Sequence, residues 1–465
     1  MRSSPTRFPF ACCHRRGRTV WAAALIALGA CGALAGETPR FRLITVDPGH
    51  FHASLVQKFM YADVDPTVPV YAPPGDDLAQ HLQIIERFNS RADQPTHWRE
   101  QVYTGADFFE KMLAEKPGSV VVLAGNNARK TDYLARAIAA GMNVLADKPM
   151  AITPADFTRL QAAFRTAEEK HVLLYDIMTE RYEITTALQR ALSQTPALFG
   201  ELVKGSVDDP AITKESVHYF SKIVAGAPLK RPPWFFDVRQ EGEGIVDVTT
   251  HLVDLIQWEA FPEQVLRIDD IAMLSARRWT TPITREQFRR TTGLEEFPDY
   301  LRGAVQDGVL QVSANGEFNY RLRGVHCRVA VTWKFEAPAG AGDMHRSLMR
   351  GTRATLLIRQ GAAENYHPTL FVLNPGATDA PGFEAALAAA IAALQPKYPG
   401  VGFHREEKEW RITVPVGYDV GHEAHFAQVM QNFLDYLRAG RLPAWEVPNM
   451  ITKYATIMQA YELSR

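Results

Sequence analysis

Short apolar segments alternate with helix-like segments across residues 41–180, and this alternation constrains the fold more than any other feature of the chain. The segments with strand character occupy residues 41–46, 68–72, 119–124, 143–146 and 172–175. The helical segments occupy residues 53–61, 78–89, 106–115 and 131–140, and a further helix begins at Thr153-Pro154. Repeated strand–helix–strand units predict a doubly wound parallel sheet whose ligand binds at the carboxyl ends of the strands.

The pattern changes after about residue 185, where strand-like segments lie closer together and several alternate apolar with polar residues. These segments occupy residues 200–207, 309–312, 317–322, 327–335 and 354–358. Such alternation is typical of half-buried antiparallel strands. Helical patterns follow at residues 383–394, 424–438 and 450–464. We therefore predict an α/β protein, with the parallel sheet in residues 41–180 and an α+β domain with an open, mainly antiparallel sheet in residues 181–465.

The first 35 residues differ from the rest in composition. A basic start precedes an almost wholly apolar run at residues 20–30, and Ala33-Leu34-Ala35 resembles a cleavage site. This pattern predicts a secretory signal peptide over residues 1–35, because the apolar run is too short to span a membrane. Two variants stay open: a lipid anchor on Cys31, and twin-arginine export through Arg15-Arg16. Each of them implies an exported protein, periplasmic or extracellular.

Charge and cysteine content argue against nucleic-acid binding and against a disulfide-stabilised fold. Removing residues 1–35 removes five arginines and no acids, so the formal charge changes from -1 to -6, that is, -1 minus 5. An acidic chain without a basic run is a poor ligand for nucleic acid. Of the four cysteines only Cys327 lies beyond the leader, which excludes an internal disulfide in the mature chain.

The segment 46–53 follows the first strand, where a dinucleotide site places a glycine-rich turn. Glycines there let the backbone approach a diphosphate and present amides at a helix terminus. Gly49 is the only glycine, and Asp47 and His52 stand where the first and last glycines would be. An ordinary strand–helix turn explains this segment equally well. No acid ends the second strand to hold ribose hydroxyls; Asp76 follows a few residues later.

Lys148, Asp247 and His251 could together remove a proton from a hydroxyl group. Lys148 precedes Pro149 at a predicted strand end, where it could donate a hydrogen bond to a hydroxyl and stabilise an alkoxide. Asp247, His251 and Asp254 recur at helical spacing after a glycine-rich loop, so we expect them on one face. An imidazole beside a carboxylate can act as a general base.

Other interpretations of these residues stay open. Lys148 could be a surface lysine, and Asp247 with His251 could be a helix cap and a buried hydrogen-bonded imidazole. We predict no metal, because neither a cysteine nor another pair with ligand spacing accompanies them. His422 and His425 are interpreted as packing or capping residues. A polar pocket could be lined by Tyr175, Arg181 and Trp234, with Trp234 stacked on a sugar, although such isolated aromatic residues more often belong to a core.

Taken together, these motifs resemble the glucose–fructose oxidoreductase, inositol dehydrogenase and rhizopine-catabolism family (Gfo/Idh/MocA). Residues 141–149 are similar to its Glu-Lys-Pro segment, with Asp147 in place of Glu. Residues 244–254 resemble its glycine-rich loop and Asp-x-x-x-His helix, and residues 426–433, 440–443 and 458–464 resemble its closing helices. The resemblance covers nearly all of the mature chain and is strongest to exported members with a distinctive C-terminal domain.

The resemblance implies a Rossmann domain that binds NAD or NADP, and hydride transfer between a sugar or polyol carbon and the nicotinamide. Lys148 would polarise the hydroxyl, His251 would accept its proton and Asp247 would orient the substrate. An exported enzyme would hold its nucleotide tightly, and the open sheet would support a homo-oligomer. The implied cofactor contacts are Gly49, His50, Phe51, His52, Asn126, Asn127, Lys130, Asp147, Lys148 and Pro149. The implied substrate contacts are Tyr175, Arg181, Trp234, Asp247 and His251.

The chain departs from the family pattern a second time at residues 124–130. Lys130 occupies the position of the histidine in the family's Thr-Pro-Asn-x-x-His segment.

Three functional hypotheses stay open. The first is an exported NAD(P)-dependent oxidoreductase acting on CH–OH groups, the second is a glycoside hydrolase or lyase that oxidises a sugar transiently, and the third is a carbohydrate-binding protein without enzymatic activity. The weak glycine turn motivates the third hypothesis, and the presence of Lys148, Asp247 and His251 together argues against it.

Overall fold

The computed structural model describes residues 40–224, 227–376 and 380–465. The predicted signal peptide, its cleavage site, the twin-arginine pair and the lipid-anchor position Cys31 lie outside these residues. No helix in the described ranges combines the length and apolarity needed to cross a bilayer.

The first sheet has six strands in the order β3-β2-β1-β4-β5-β6, and all neighbours run parallel. The strands are β1 (Leu43–Val46), β2 (Thr67–Tyr71), β3 (Arg99–Tyr103), β4 (Val120–Leu123), β5 (Asn143–Asp147) and β6 (Leu174–Ile177). The helices between them are α1 (His52–Leu55), α2 (Asp76–Ser90), α3 (Phe108–Glu115), α4 (Asn127–Ala139) and α5 (Pro154–Lys170). This topology confirms the predicted doubly wound sheet, and the strand order reverses between β1 and β4, where such sheets open a ligand crevice.

Two local predictions in this half were wrong or incomplete. Helix α1 covers one turn and does not extend over residues 53–61, because the chain turns away and the Tyr61 hydroxyl donates to the carbonyl of Val56 at 2.7 Å. Strand β3 was not predicted. It is an edge strand with mostly exposed, polar side chains, so it carries no apolar pattern.

The second sheet is mixed and mostly antiparallel, as predicted. Its ten strands follow the order β10-β12-β13-β7-β14-β15-β16-β18-β17, with β11 beside β12, and only β7 and β13 pair in parallel. These strands are β7 (Ile212–Ser221), β10 (Ile271–Ile283), β11 (Val305–Gln306), β12 (Val309–Leu322), β13 (Val325–Glu336), β14 (Met344–Arg350), β15 (Thr355–Arg359), β16 (Thr369–Leu373), β17 (Gly402–Glu406) and β18 (Glu409–Thr413). A separate hairpin is formed by β8 (Ile223–Val224) and β9 (Ala227–Pro228).

The predicted strand at residues 200–207 was wrong. The backbone there makes only isolated bridges at Leu202 and Gly205, because Gly200 and Gly205 adopt positive φ values of 73° and 66° and turn the chain. The true strand is β7, a few residues later. The two predicted strands at residues 309–312 and 317–322 form one continuous strand, β12.

The remaining helices all follow β6 in the chain. They are α6 (Ile184–Ser193), α7 (Pro196–Phe199), α8 (Thr249–Ala260), α9 (Arg285–Thr292), α10 (Ala380–Leu394), α11 (His422–Ala439) and α12 (Glu446–Leu463). Phe426 and Phe433 of α11 and Tyr454 of α12 are buried in the core of the first sheet, while Ile457 of α12 is buried in the core of the second. The division into domains at residue 180 stays a prediction, and the last two helices pack across it.

Candidate active site

Lys148 and Asp247 meet at the carboxyl edge of the first sheet. Lys148 directly follows β5, and Asp247 lies in the turn before α8. The Lys148 Nζ is 2.5 Å from Asp247 Oδ1, and the two side chains retain 11% and 5% of their exposure. The turn approaches β12 closely at Gly244, where a Cβ would lie 1.8 Å from the carbonyl oxygen of Ala314. Glycine at this position therefore lets the loop bring Asp247 to the lysine.

The ion pair keeps Lys148 charged. Burial opposes protonation of this lysine, but the nearby carboxyl groups of Asp247, Asp147 and Glu241 together outweigh it and raise the pKa of Lys148. A buried ammonium with two remaining hydrogens is a strong hydrogen-bond donor toward an oxygen that gains negative charge.

His251 lies in the first turn of α8 beside this pair. Its Nδ1 is buried, and among the described residues no partner bonds to it. Burial, assisted by the Lys148 charge, lowers the pKa of His251 from 6.5 to about 4. The imidazole is therefore neutral near pH 7 and can accept a proton. The expectation of one helical face was wrong for Asp247, which precedes α8; Asp254 lies within α8 and bonds to Arg181 at 2.7 Å.

The turn after β1 is built around Asp147, the last residue of β5. The Nδ1 atoms of His50 and His52 lie 3.3 Å and 2.9 Å from Asp147 Oδ2, and Phe51 packs against the His52 ring. The amide of Gly49 donates to the carbonyl of Asp47 at 2.8 Å, and that of His50 donates to Ala124 at 3.2 Å. Two of the amides expected to bind a diphosphate are thus engaged by the chain itself.

Asn126, Asn127 and Lys130 hold the segments that carry or flank the candidate residues Lys148 and Asp247. Asn126 caps α4 and donates to Gln240 Oε1 at 2.7 Å, while Asn127 donates to the carbonyl of Glu241 at 2.6 Å. The buried Lys130 Nζ donates to Asn127 and to the carbonyls of Asp147 and Pro149, the latter two at 3.0 Å and 3.3 Å. Their predicted contacts with a cofactor stay predictions, and in this structure their polar groups tie residues 240–241 and 147–149 to α4.

A cleft of about 200 Å³ opens at the carboxyl ends of β1 and β2. It is lined by residues 72–78 together with Asp47, Pro48 and Arg129. Burial raises the pKa of Asp47 despite its contacts with Arg129 and Tyr133, and burial also raises the pKa of Asp77. Carboxyl groups in this place can accept hydrogen bonds from ribose hydroxyls. The cleft therefore fits the nucleoside half of a dinucleotide. The turn after β1, by contrast, offers a diphosphate fewer free backbone amides than the glycine-rich turn of the family pattern.

Trp234 covers the turn after β1. Its indole N–H donates to Asp77 Oδ2 at 2.9 Å, and a Cβ on Gly49 would lie 3.2 Å from its ring. A side chain at position 49 would therefore crowd this ring and would require it to shift by a few tenths of an ångström. The predicted stacking of Trp234 on a sugar stays a prediction, and the observed position is beside the nucleotide cleft.

Tyr175 and Arg181 are not brought to the lysine–aspartate pair, so the predicted polar pocket does not form from them. Tyr175 is buried and stacks on Phe433 with ring centroids 5.8 Å apart. Arg181 makes two bonds to Asp254, at 2.7 Å and 2.8 Å, and one to Glu446 at 2.8 Å. Both residues serve internal packing because their partners lie on α8, α11 and α12, which sequence spacing does not reveal.

Four polar residues near the site were missed as functional candidates: Glu180, Glu241, His422 and His425. Glu180 Oε1 lies 3.3 Å from His422 Nε2, and it raises the pKa of His251 against the effect of burial. Burial and the neighbouring Asp247 raise the pKa of Glu241 well above its usual value, so this group tends to hold a proton. The position of Glu180 just after β6, at the same edge as Lys148, was the signal that could have identified it.

Comparison with known proteins identifies the family. Residues 69–175 match the model described as an oxidoreductase family with an NAD-binding Rossmann fold, and residues 188–465 match the model of an oxidoreductase C-terminal domain. A crystal structure of a protein described as an oxidoreductase, from Parabacteroides merdae ATCC 43184, is 51% identical with a TM-score of 0.90, over 92% of this chain and 98% of that one. This chain belongs to the Gfo/Idh/MocA oxidoreductase family.

More distant structures share the family fold. GenD2 from gentamicin A biosynthesis, solved with NAD, is 16% identical with a TM-score of 0.54, over 92% of this chain and 95% of that one. KijD10, a 3-ketoreductase from Actinomadura kijaniata solved with TDP-benzene and NADP, is 12% identical with a TM-score of 0.52, over 90% and 96%. At these identities the likeness concerns the fold alone. The search of curated proteins gives no match.

Proposed function

We propose that this family member is an exported NAD(P)-dependent oxidoreductase that transfers a hydride between a sugar or polyol CH–OH carbon and the nicotinamide. The observation that carries the proposal is the 2.5 Å Lys148–Asp247 ion pair at the carboxyl edge of the sheet. A neutral His251, whose buried Nδ1 has no hydrogen-bond partner in the described part of the chain, lies beside this pair. Oxidation of an alcohol needs a donor to the oxygen and an acceptor for its proton, and these residues supply both.

The catalytic roles follow from charge and protonation. The Lys148 ammonium donates to the substrate oxygen and stabilises the negative charge that develops as the hydroxyl proton leaves. His251 takes that proton, because its imidazole is neutral at working pH. Asp247 keeps Lys148 charged and orients it, and its second oxygen can accept from a neighbouring substrate hydroxyl. A bound nicotinamide would supply the acceptor for the hydride.

The nucleotide cleft favours NAD over NADP in this proposal. Asp47, Asp76 and Asp77 line it, and Arg129 is the single guanidinium among its lining residues. A ribose with free hydroxyls can donate to these carboxyl groups, whereas a 2′-phosphate would meet like charge. We further propose that the nucleotide stays tightly bound, since free cofactor is scarce outside the cytoplasm.

A polyhydroxylated substrate suits the polar side chains around the site. Lys148, Asp247, His251, Glu180 and Glu241 offer charged or neutral donors and acceptors at the carboxyl edge.

Export is supported by the basic and apolar leader in residues 1–35. Several strands of the second sheet alternate buried with half-buried side chains. This alternation supports a homo-oligomer that forms through the open face of the sheet. A monomer mass in sedimentation equilibrium would contradict the proposed homo-oligomer.

Isotope transfer tests the reaction most directly. The purified protein is incubated with a panel of sugars and polyols deuterated at each carbinol carbon, and the released nicotinamide is analysed for deuterium. We expect deuterium on the nicotinamide with one position of one sugar class. A glycoside that is cleaved while the nucleotide returns to its oxidised state would favour the hydrolase or lyase alternative. No transfer from any CH–OH compound would contradict the proposal.

The His251→Ala variant should lose activity in a pH-dependent way. A general base contributes roughly 100- to 10,000-fold. Hydroxide can replace it only at alkaline pH, so the loss should shrink there. In the wild-type protein the pKa of about 4 keeps the imidazole neutral above that pH, and the acid limb of kcat/KM should fall near 4 and not near the ordinary 6.5. A small loss that does not change with pH would instead indicate a structural histidine.

A further inference from the structure

We infer that His50, His52 and Asp147 form a binding site for a divalent transition-metal ion. One ligand atom of each residue lies within 4.8 Å of those of the other two. The site lies at the carboxyl edge of the first sheet, next to Lys148 but separate from the Lys148–Asp247 pair. The inference departs from the absence of a metal expected from the sequence, and it does not rest on the proposed oxidoreductase reaction.

The distances suit a shared cation. The Nδ1 atoms of His50 and His52 approach the same oxygen, Asp147 Oδ2, at 3.3 Å and 2.9 Å. Ligands bound at about 2.1 Å around a metal are separated by roughly 3.0–3.4 Å, so a small adjustment would admit an ion. In the alternative without metal, two neutral imidazoles must both donate to one carboxylate oxygen. An ion between the three atoms would satisfy all of them by moving each imidazole hydrogen to Nε2.

The protein holds the ligands in place before any ion binds. Asp147 ends a buried strand, and the His52 ring packs at 4.5 Å from the ring of Phe426 on α11. His50 keeps 18% of its side-chain exposure, so the cluster has an open side. The side chains of His52 and Asp147 retain only 10% and 4% of their exposure, so packing fixes the positions of both ligand groups.

The donor set selects the class of ion. Two imidazoles and one carboxylate, with open positions, suit Zn²⁺, Fe²⁺, Mn²⁺, Co²⁺ or Ni²⁺ better than Mg²⁺ or Ca²⁺, which prefer oxygen ligands. Two cations lie nearby and oppose binding, but each has its own partners. Lys148 pairs with Asp247, and Lys130 bonds to Asn127 and to the backbone carbonyls of Asp147 and Pro149.

Metal analysis of the untagged, full-length protein tests the inference. The protein is purified without chelators, its bound metals are measured by inductively coupled plasma mass spectrometry, and a chelated sample is titrated with Co²⁺. We expect about one transition-metal ion per chain and visible d–d absorption that saturates at one Co²⁺ per chain. His52→Ala and Asp147→Asn should both lose the ion and the absorption. His404→Ala is the control, because its exposed imidazole pairs only with Glu406 in the same hairpin.

Several results of the metal analysis would overturn the inference. A wild-type protein that is free of transition metal and shows no Co²⁺ absorption overturns the inference. So does Co²⁺ binding that persists in His52→Ala and Asp147→Asn, or that disappears in His404→Ala. The two site variants are used only if their near-ultraviolet circular dichroism matches the wild type; His50→Ala replaces whichever of them fails to fold. Nucleotide content, measured on the wild-type sample, shows independently whether the proposed oxidoreductase function stands.

Discussion

Replacing Lys148 by methionine should lower kcat by about 1,000-fold or more, because the variant loses both the donor to the substrate oxygen and the charge that stabilises it. Methionine matches the lysine stem in length, so the packing around residue 148 should persist. The variant also leaves the buried Asp247 carboxyl without its partner, so the urea midpoint should fall. Turnover is therefore compared well below that midpoint, where nucleotide content should change little. Hydride transfer from the sugar class identified by isotope transfer provides the measurement.

A charge-preserving variant serves as the matched control. Lys148→Arg retains a cation beside Asp247 and should keep more activity than Lys148→Met, although the guanidinium displaces the donor from its position. Asp247→Asn should lower kcat by less than Lys148→Met, since it leaves the ammonium in place. Turnover near the wild-type rate in Lys148→Met would refute the assigned role of this lysine.

Replacing Lys453 by methionine should destabilise the fold by about 3–5 kcal/mol, the usual cost of leaving buried charges without a partner. Lys453 is fully buried on α12, with its Nζ 2.6 Å from Asp176 and 2.9 Å from Asp254. Asp254 also bonds to Arg181, which reaches Glu446. Removing the ammonium leaves three carboxylates facing one guanidinium across β6, α8 and α12.

Urea denaturation followed by circular dichroism measures this loss. Lys397→Met, at an exposed position after α10, is the control and should change stability by less than about 0.5 kcal/mol. The Lys453 variant should also retain nucleotide if it is assayed well below its unfolding midpoint. An unfolding free energy equal to that of the wild type would show that the buried network does not stabilise the junction of α12 with the sheets.

The architecture was predictable wherever burial leaves a regular apolar pattern. Strands β1, β4 and β5 are wholly or almost wholly buried, and their apolar runs revealed them. Strand β3 has no such pattern because it is an exposed edge. Strand β7 hides a buried Lys214 that is neutralised by Glu259 at 2.6 Å, a partner 45 residues away. Pairing of this kind makes a core strand appear polar in the sequence.

The Lys148–Asp247 part of the candidate site was predictable because each residue has a recognisable local sequence context. Lys148 and Asp247 are 99 residues apart, yet each has a local signal: a strand end for one and a glycine-rich loop before a helix for the other. Arg181 was misassigned to a pocket because its partners Asp254 and Glu446 are distant in sequence. The convergence of His50 and His52 on Asp147 depends on β1 and β5 lying on either side of β4, which strand order establishes and periodicity does not.

The nucleotide itself tests the central claim most directly. The mature protein would be purified from its native compartment and unfolded, and any released nucleotide would be identified by mass spectrometry and counted per chain. The proposed function, with the acidic cleft around Asp47 and Asp77, predicts NAD(H) at close to one per chain. Release of NADP(H) would contradict the role of these acids. No nucleotide, and no binding when NAD⁺ or NADP⁺ is added back, would contradict the oxidoreductase function as a whole.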